Sequence, residues 1–126
     1  MSNSKILGLR TTIYKVNDLQ AAKAFYSKAF MTEPYFDESF YVGFNVGGFE
    51  LGLQPDDTPL VERGDNVVSY WGVNDIHTEF QRFLEMGAIE HEPPMNVGGE
   101  IIVATVKDIW GNVIGLIYNP HFSVGT

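Results

Sequence analysis

The stretch VNDL at residues 16–19 returns as VNDI at residues 73–76, a shift of 57 residues (73 minus 16). In both copies Asn and Asp precede an apolar residue, and they are preferred helix N-caps because their side chains accept hydrogen bonds from first-turn N–H groups. A run rich in β-branched and aromatic residues precedes each copy, LRTTIYKV at 9–16 and VVSYWGV at 67–73. The sequence therefore predicts a duplicated unit in which a strand is followed by a helix.

Helical spacing follows each copy, and strand patterns follow each helix. The apolar stripe of the first helix comprises Ala22, Phe25, Tyr26, Ala29 and Phe30, and that of the second, which ends at Gly87, comprises Ile76, Phe80, Phe83 and Leu84. The strand patterns lie at 39–46 and 49–54, joined by a Gly47-Gly48 turn, and at 100–107 and 112–119. A further strand is predicted around 33–36 or 89–92.

We interpret the chain as a single α+β domain, residues 1–126, with two βαβββ-type repeats at about 7–54 and 66–120 and a polar linker at 55–65. A short sheet with one helix leaves its other face uncovered, so neither repeat is expected to be stable alone. The two halves are expected to close over one another as a cupped mixed sheet, with the helices outside and a cleft inside.

Charge and composition exclude several classes of function. Hydrophobic residues make up 44% of the chain, which is typical of a folded globular protein. Eight Lys and Arg against 16 Asp and Glu give a net charge of −8, which repels nucleic acid phosphates and anionic lipid surfaces. No nucleic acid or membrane partner is therefore expected. A small cationic or neutral ligand is compatible with the negative electrostatic potential. The alternative is that the negative charge only keeps the protein soluble.

The sequence also lacks features that several kinds of active site, and an export or membrane location, would require. There is no Cys, so disulfides, thiolate metal sites and a Cys nucleophile are excluded. No apolar run has the length of a signal peptide or a membrane span, so a soluble cytoplasmic protein is expected. His77, His91 and His121 show no paired metal-ligand spacing and are predicted to lie on the surface.

The segment DIWGN at residues 108–112 lies between the last two predicted strands. Gly111 readily takes the positive φ that a hairpin loop needs. We interpret the segment as a hairpin connection, with a catalytic role for Asp108 as the alternative.

Val-x-Asp-Leu or Val-x-Asp-Ile opening a helix in each half, together with Asp-x-x-Gly-Asn before the last strand, resembles the vicinal oxygen chelate superfamily. This superfamily includes glyoxalases, bleomycin resistance proteins and extradiol dioxygenases. The resemblance covers residues 7–120, and the order and duplication of the motifs make it specific. It implies the glyoxalase/bleomycin resistance fold. It also implies a homodimer, because members commonly complete their clefts with a partner chain.

The resemblance also implies where a metal would be bound. Metal-dependent members place four ligands on the first and last strands of the two halves. The matching positions here are Thr11, Glu50, Val68 and Gly115, of which only Glu50 is a good ligand for a divalent ion. No metal and no other cofactor are therefore expected, which argues against glyoxalase and dioxygenase chemistry.

Strand alternation predicts which side chains share a face with these four positions. This face is mostly apolar and rich in glycine, which suits a small-molecule pocket, although glycines also relieve crowding in a curved sheet. Phe44 joins it from an aromatic cluster of Tyr35, Phe36, Phe40, Tyr41 and Phe44. The predicted ligand-binding residues are Thr11, Ile13, Phe44, Glu50, Gly52 and Gln54 in the first half, with Val68, Tyr70, Val113, Gly115 and Ile117 in the second.

Glu50 is the candidate catalytic residue or ligand anchor. A carboxylate without a metal needs another partner when it is buried. It could accept hydrogen bonds from Thr11 and Tyr70, bind a cationic group of a ligand, act as a general base, or remain solvated at the mouth of a cleft.

Three functions stay open from the sequence. The first is a metal-free protein, similar to the bleomycin resistance branch, that binds a small cationic or aromatic molecule. The second is an enzyme, either a metal-dependent lyase or dioxygenase with an unusual site, or a metal-free isomerase with Glu50 as the base. The third is a scaffold or regulatory subunit without a ligand.

Overall fold

The computed structural model describes residues 7–57, 64 and 67–122. The chain divides into two compact units, Met1–Asp57 and Thr58–Thr126. Within the described residues each unit holds one helix and one four-stranded sheet in the order βαβββ. The α+β class and the duplicated order predicted from the sequence are therefore confirmed. Most of the predicted linker at 55–65 lies outside the described residues.

The first unit forms a mixed sheet in the order β1-β4-β3-β2. Only β1 and β4 pair in parallel, because the helix carries the chain across the sheet between β1 and the later strands. The elements are β1 Thr11–Val16, α1 Leu19–Ala29, β2 Phe36–Glu38, β3 Tyr41–Val46 and β4 Phe49–Pro55.

Helix α1 begins where the first VNDL copy predicts. The Asp18 carboxylate accepts a hydrogen bond of 3.0 Å from the Ala21 N–H, which makes Asp18 the N-cap. The apolar stripe of the helix packs on the sheet, and the rings of Tyr26 and Tyr14 stack with centroids 5.5 Å apart. Burial of this stripe, rather than intrinsic propensity, holds a helix of only 11 residues in place.

Strand pairing assigns every side chain of the first sheet to a face. Tyr14 lies opposite Leu53, and Leu51 lies opposite Phe44, so these residues share the face covered by α1. The other face, which we call the distal face, carries Thr11, Ile13, Glu50, Gly52 and Gln54 from β1 and β4, together with Tyr41, Gly43 and Asn45 from β3.

The second unit repeats the plan, with strand order β5-β8-β7-β6 and a parallel β5–β8 pair. Asp75 caps its helix by accepting a hydrogen bond of 3.2 Å from the Thr78 N–H. Buried apolar side chains of β7 and β8 form the core of this unit with Ile76, Phe80 and Phe83. The elements are β5 Tyr70–Gly72, α2 Ile76–Glu85, β6 Ile89–Gly98, β7 Ile101–Lys107 and β8 Val113–Tyr118.

The strand bounds differ from the predicted ones by one or two residues at most ends and by more in three places. The predicted strand at 67–73 is reduced to Tyr70–Gly72, since β5 pairs with β8 over those three residues only. The fourth strand exists in both halves, but β2 begins at Phe36, where the predicted segment 33–36 ends. Strand β6 runs to Gly98, well past the predicted segment 89–92, because register shifts let it follow β7 despite Pro93 and Pro94.

The 108–112 segment is the hairpin connection that the sequence predicts. Asp108 is buried, and its carboxylate accepts hydrogen bonds from the N–H groups of Trp110 and Asn112 at 2.9 and 2.8 Å. Gly111 has a φ of 89°. Asp108 thus organises the turn.

No helix in the described part of the chain is long and apolar enough to cross a membrane.

Candidate functional site

Glu50 lies on the distal face of the first sheet between two tyrosine hydroxyls. Tyr35 donates a hydrogen bond to Oε1 at 2.8 Å, and Tyr41 donates one to Oε2 at 2.5 Å. An ionised carboxylate offers acceptors at both oxygens, and two donors on separate oxygens hold its plane in one orientation.

The β3–β4 hairpin creates this arrangement. Gly47 and Gly48 both have positive φ, at 59° and 92°, as the tight two-residue turn requires. The turn fixes the register, so Gly43 lies opposite Gly52 in the pair of strands. Two neighbouring glycines leave the distal face bare at this point.

The ring of Tyr41 occupies that bare area. A Cβ added to Gly52 would lie 2.0 Å from the Tyr41 hydroxyl, and one added to Gly43 would lie 3.3 Å from the same ring. The Tyr41 side chain therefore rests on the backbone of β3 and β4 and extends toward Glu50. Only glycine at position 52 permits this placement.

Tyr35 reaches the same carboxylate from the segment before β2. Its backbone N–H donates to the Gly43 carbonyl at 3.0 Å, which anchors the residue beside the sheet. Its side chain is 62% exposed, whereas Tyr41 is half-buried. One hydroxyl of the pair is thus packed against the sheet and the other is open to solvent.

Both phenols are held in the protonated form. The hydrogen bond to Glu50 is the largest cause of the raised pKa of Tyr35, and burial followed by the Glu50 hydrogen bond raises the pKa of Tyr41. Their ordinary pKa of 10.0 is already far above neutrality. Both residues consequently remain hydrogen-bond donors to Glu50 at neutral and mildly alkaline pH.

A shallow depression of about 240 Å³ adjoins the Glu50 carboxylate. Two further aromatic rings lie outside the residues that line it, with Phe36 at 6.0 Å from Phe40 and 6.2 Å from Tyr41 between ring centroids. Phe36 and Phe40 are 38% and 63% exposed. The depression is lined by Arg10, Thr11, Tyr35, Phe44, Asn45, Gly48, Phe49 and Glu50.

The structure brings together most of the predicted first-half residues. Thr11, Ile13, Glu50, Gly52 and Gln54 lie on one face, in the alternation expected. Phe44 borders the depression, but its side chain does not join them, because it lies with Leu51 on the face under α1 and is fully buried.

The hydrogen-bond donors to Glu50 differ from the expected ones. Thr11 and Tyr70 were the candidate donors, whereas Tyr35 and Tyr41 occupy the two oxygens. Thr11 lies directly opposite Glu50 in the β1–β4 pair.

Of the predicted second-half residues, Tyr70, Val113, Gly115 and Ile117 share a face, but the structure changes the equivalence with the first half. Tyr70 pairs with Gly115, and Ile13, its counterpart at the 57-residue shift, pairs with Gly52. Gly115 thus corresponds to Gly52, and the matching of Gly115 with Glu50 is wrong by two residues. Val68 precedes β5, while Val113, Gly115 and Ile117 lie on β8.

In the second unit, too, a tyrosine ring covers the equivalent glycine. A Cβ added to Gly115 would lie 2.6 Å from the Tyr70 ring. Beside it, Thr105 donates to Glu92 Oε1 at 3.0 Å and contacts His91 Nδ1 at 2.9 Å. Since the single hydroxyl proton of Thr105 goes to Glu92, His91 must donate from Nδ1. A bulge between Glu90 and Glu92 allows the neighbouring side chains of His91 and Glu92 to reach Thr105 together.

The donor set does not fit the divalent metal that the family fold implies. With the match corrected from Gly115 to Val113, the fourth position still carries no donor, nor does Val68, and Thr11 carries a neutral hydroxyl. Both oxygens of Glu50 accept hydrogen bonds from tyrosines. Among the described residues, no three His, Asp or Glu side chains are grouped so that they could hold a metal ion.

Sequence reasoning missed Tyr35 and Tyr41 as partners of Glu50. The signal for Tyr41 was present, because a two-residue Gly47-Gly48 turn places Gly43 opposite Gly52 and leaves space for a large neighbour. The sequence holds no comparable signal for Tyr35, since the position of Tyr35 depends on where β2 begins.

Comparison with known proteins places this arrangement in a family. The family model described as Glyoxalase/Bleomycin resistance protein/Dioxygenase superfamily matches residues 8–116. The chain belongs to this superfamily. No match was found among curated protein sequences.

Solved structures share the fold at low sequence identity. A glyoxalase-related enzyme from Fulvimarina pelagi has 17% identity and a TM-score of 0.78, covering 95% of this chain and 94% of its own. The fosfomycin resistance protein FosX from Listeria monocytogenes has 22% identity and a TM-score of 0.75, covering 92% and 96%. Identities at this level establish the fold only.

Proposed function

We propose that this chain binds a small cationic or aromatic molecule without a metal ion, on the distal face of its first sheet, with Glu50 as the anchor. The observation that carries the proposal is the Glu50 carboxylate, fixed between the hydroxyls of Tyr35 and Tyr41 beside a depression of about 240 Å³. A carboxylate held in one orientation before binding reduces the entropic cost of fixing a ligand.

The surroundings of Glu50 favour a cation with an apolar body. Exposed rings at Phe36 and Phe40, next to Tyr41, offer apolar surface and π faces. The net charge of −8 raises the local concentration of cations and lowers that of anions. Five of the eight residues that line the depression are polar, and the one cation among them, Arg10, directs its guanidinium to the backbone carbonyls of residues 7–9.

Catalysis by Glu50 as a general base is the alternative. Both carboxylate oxygens already accept a hydrogen bond from a tyrosine, so a base at this position would compete with its own donors for the substrate proton. A fixed, doubly hydrogen-bonded carboxylate is better suited to attracting a positive charge than to removing a proton.

Isothermal titration calorimetry with 2-phenylethylguanidinium tests the proposal, since this probe joins an N–H cation to an aromatic ring. Glu50→Gln should weaken binding by about tenfold or more, because a charge-assisted hydrogen bond contributes about 1.5–3 kcal/mol. Glu85→Gln is the matched control, as it removes the same charge from the exposed last turn of α2 in the second unit and should leave the affinity within about twofold. Equal losses in the two variants would reduce the effect to overall charge and contradict the proposal.

A further inference from the structure

The two tyrosines that hold Glu50 differ in how firmly they are themselves held. The Tyr41 ring is half-buried and rests on Gly43 and Gly52, so moving it would expose the bare backbone of two strands. The Tyr35 side chain is 62% exposed. Rotation of Tyr35 away from the sheet costs one solvent-accessible hydrogen bond and the contact of its ring with Gly43, where an added Cβ would lie 3.2 Å from the ring, whereas Tyr41 also covers Gly52.

We infer that Tyr35 occupies the ligand's place on Glu50: a bound cation with N–H donors replaces the Tyr35 hydroxyl at Oε1, while Tyr41 stays on Oε2 and positions the carboxylate. This inference rests on the proposed cation-binding function and narrows it to one ligand class. That class comprises guanidinium, amidinium and primary or secondary ammonium groups that carry an apolar body.

Whether a ligand can replace Tyr35 depends on how strongly it interacts with Oε1 compared with the Tyr35 hydroxyl. A neutral hydroxyl would replace the Tyr35 hydrogen bond by an equivalent one, with no gain. The Tyr35 hydrogen bond is already charge-assisted by the ionised carboxylate, but an N–H cation adds the Coulomb attraction between two full opposite charges, which a neutral phenol lacks. Exchange is therefore favourable for the cation only.

Quaternary ammonium ions and anions are disfavoured for different reasons. A quaternary ammonium ion has no N–H group, so displacing Tyr35 leaves Oε1 without a donor and the attraction to the rings must offset that loss. Without displacement, the Tyr35 side chain stays between the cation and the carboxylate. An anion meets the like charge of Glu50 directly.

The experiment compares three matched probes on three proteins by titration calorimetry. The probes are 2-phenylethylguanidinium, (2-phenylethyl)trimethylammonium and 2-phenylethanol; the proteins are the wild type, Tyr35→Phe and Tyr41→Phe. Tyr35→Phe removes the competing hydroxyl and should bind the guanidinium probe roughly threefold to tenfold more tightly. Tyr41→Phe should bind it more weakly, because the carboxylate loses its fixed orientation.

A spectroscopic readout separates displacement from an indirect effect. The pKa of Tyr35 is raised chiefly by its hydrogen bond to Glu50, so saturation with the guanidinium probe should return one phenol to an ordinary pKa in an ultraviolet titration. The guanidinium stays charged at the alkaline pH of that titration. The returning phenol should be missing in Tyr35→Phe.

The two proposals fail on different results. Unchanged or weaker guanidinium binding by Tyr35→Phe, or a trimethylammonium probe that binds the wild type as tightly as the guanidinium, overturns the exchange at Oε1. Cation binding that still depends on Glu50 would then leave the proposed function standing. If none of the three probes binds the wild type, both proposals are overturned.

Discussion

The hydroxyl of Tyr41 lies so close to the backbone of Gly52 that an added Cβ would be 2.0 Å away from it. No L-residue with a side chain is compatible with this position of the ring. The placement of the phenol that fixes Glu50 therefore depends on the absence of a single methyl group from the neighbouring strand.

Gly52→Ala should accordingly displace the Tyr41 ring and break its hydrogen bond to Glu50. We expect a loss of about 1–3 kcal/mol in the free energy of unfolding, as for other overpacked sites. Gly72→Ala is the control, because nothing lies within 4 Å of a Cβ at that strand position. Urea unfolding checks both variants, and a loss in Gly72→Ala as large as that in Gly52→Ala would contradict the assigned contact.

Alkaline pH should weaken the fold through the same tyrosine. The pKa of Tyr41 is higher in the folded chain than the ordinary value of 10.0, so the folded state holds the proton more tightly. The resulting stability is complete below about pH 10 and is lost as the pH rises from there toward the folded pKa. Melting temperatures between about pH 8 and 11 should fall more steeply for the wild type than for Tyr41→Phe, and parallel curves would show that another group is responsible.

The fold and the site were predictable from the sequence to different degrees. Both N-caps, Asp18 and Asp75, and the apolar stripes behind them follow from local rules that depend on a few neighbouring residues. The face that carries Glu50 follows from strand alternation and from the Gly47-Gly48 turn. These features are encoded within one element or one hairpin.

The partners of Glu50 required information from outside its hairpin. Tyr35 reaches the carboxylate only because β2 pairs with β3 in one particular register, and no local signal fixes that register. The two-residue error in matching Gly115 to Glu50 has a different origin. The Gly-Leu pairs at 52–53 and 115–116 already align Gly115 with Gly52 in the sequence, and the β5–β8 register agrees with that alignment.

Divalent metals should neither copurify with the protein nor stabilise it. The four positions matched to family metal ligands offer one carboxylate, and that carboxylate is engaged by Tyr35 and Tyr41. Elemental analysis after purification without chelator or affinity metal should find no stoichiometric ion. Mn²⁺, Ni²⁺ and Zn²⁺ should not raise the melting temperature. About one ion per chain would show that our ligand assignment is wrong.

Removal of the Asp108 carboxylate should destabilise the second unit. Its oxygens accept hydrogen bonds from the Trp110 and Asn112 N–H groups and from the Asn112 side chain, all at 2.8–2.9 Å. Asp108→Ala should lower the free energy of unfolding by about 2–4 kcal/mol, since buried donors lose their acceptor. Asp108→Asn keeps one acceptor oxygen and should lose less, and equal losses in chemical denaturation would contradict this account.

The irregular course of β6 has a consequence for the behaviour of the protein at high concentration. It is an edge strand of its sheet and runs for 10 residues, a length at which a regular edge invites pairing with strands of other molecules. Pro93 and Pro94 remove two N–H donors from its middle, and the register shifts interrupt the rest of the hydrogen-bonding row. Replacing the two prolines would create a smoother edge and, with it, a tendency toward aggregation that the natural strand resists.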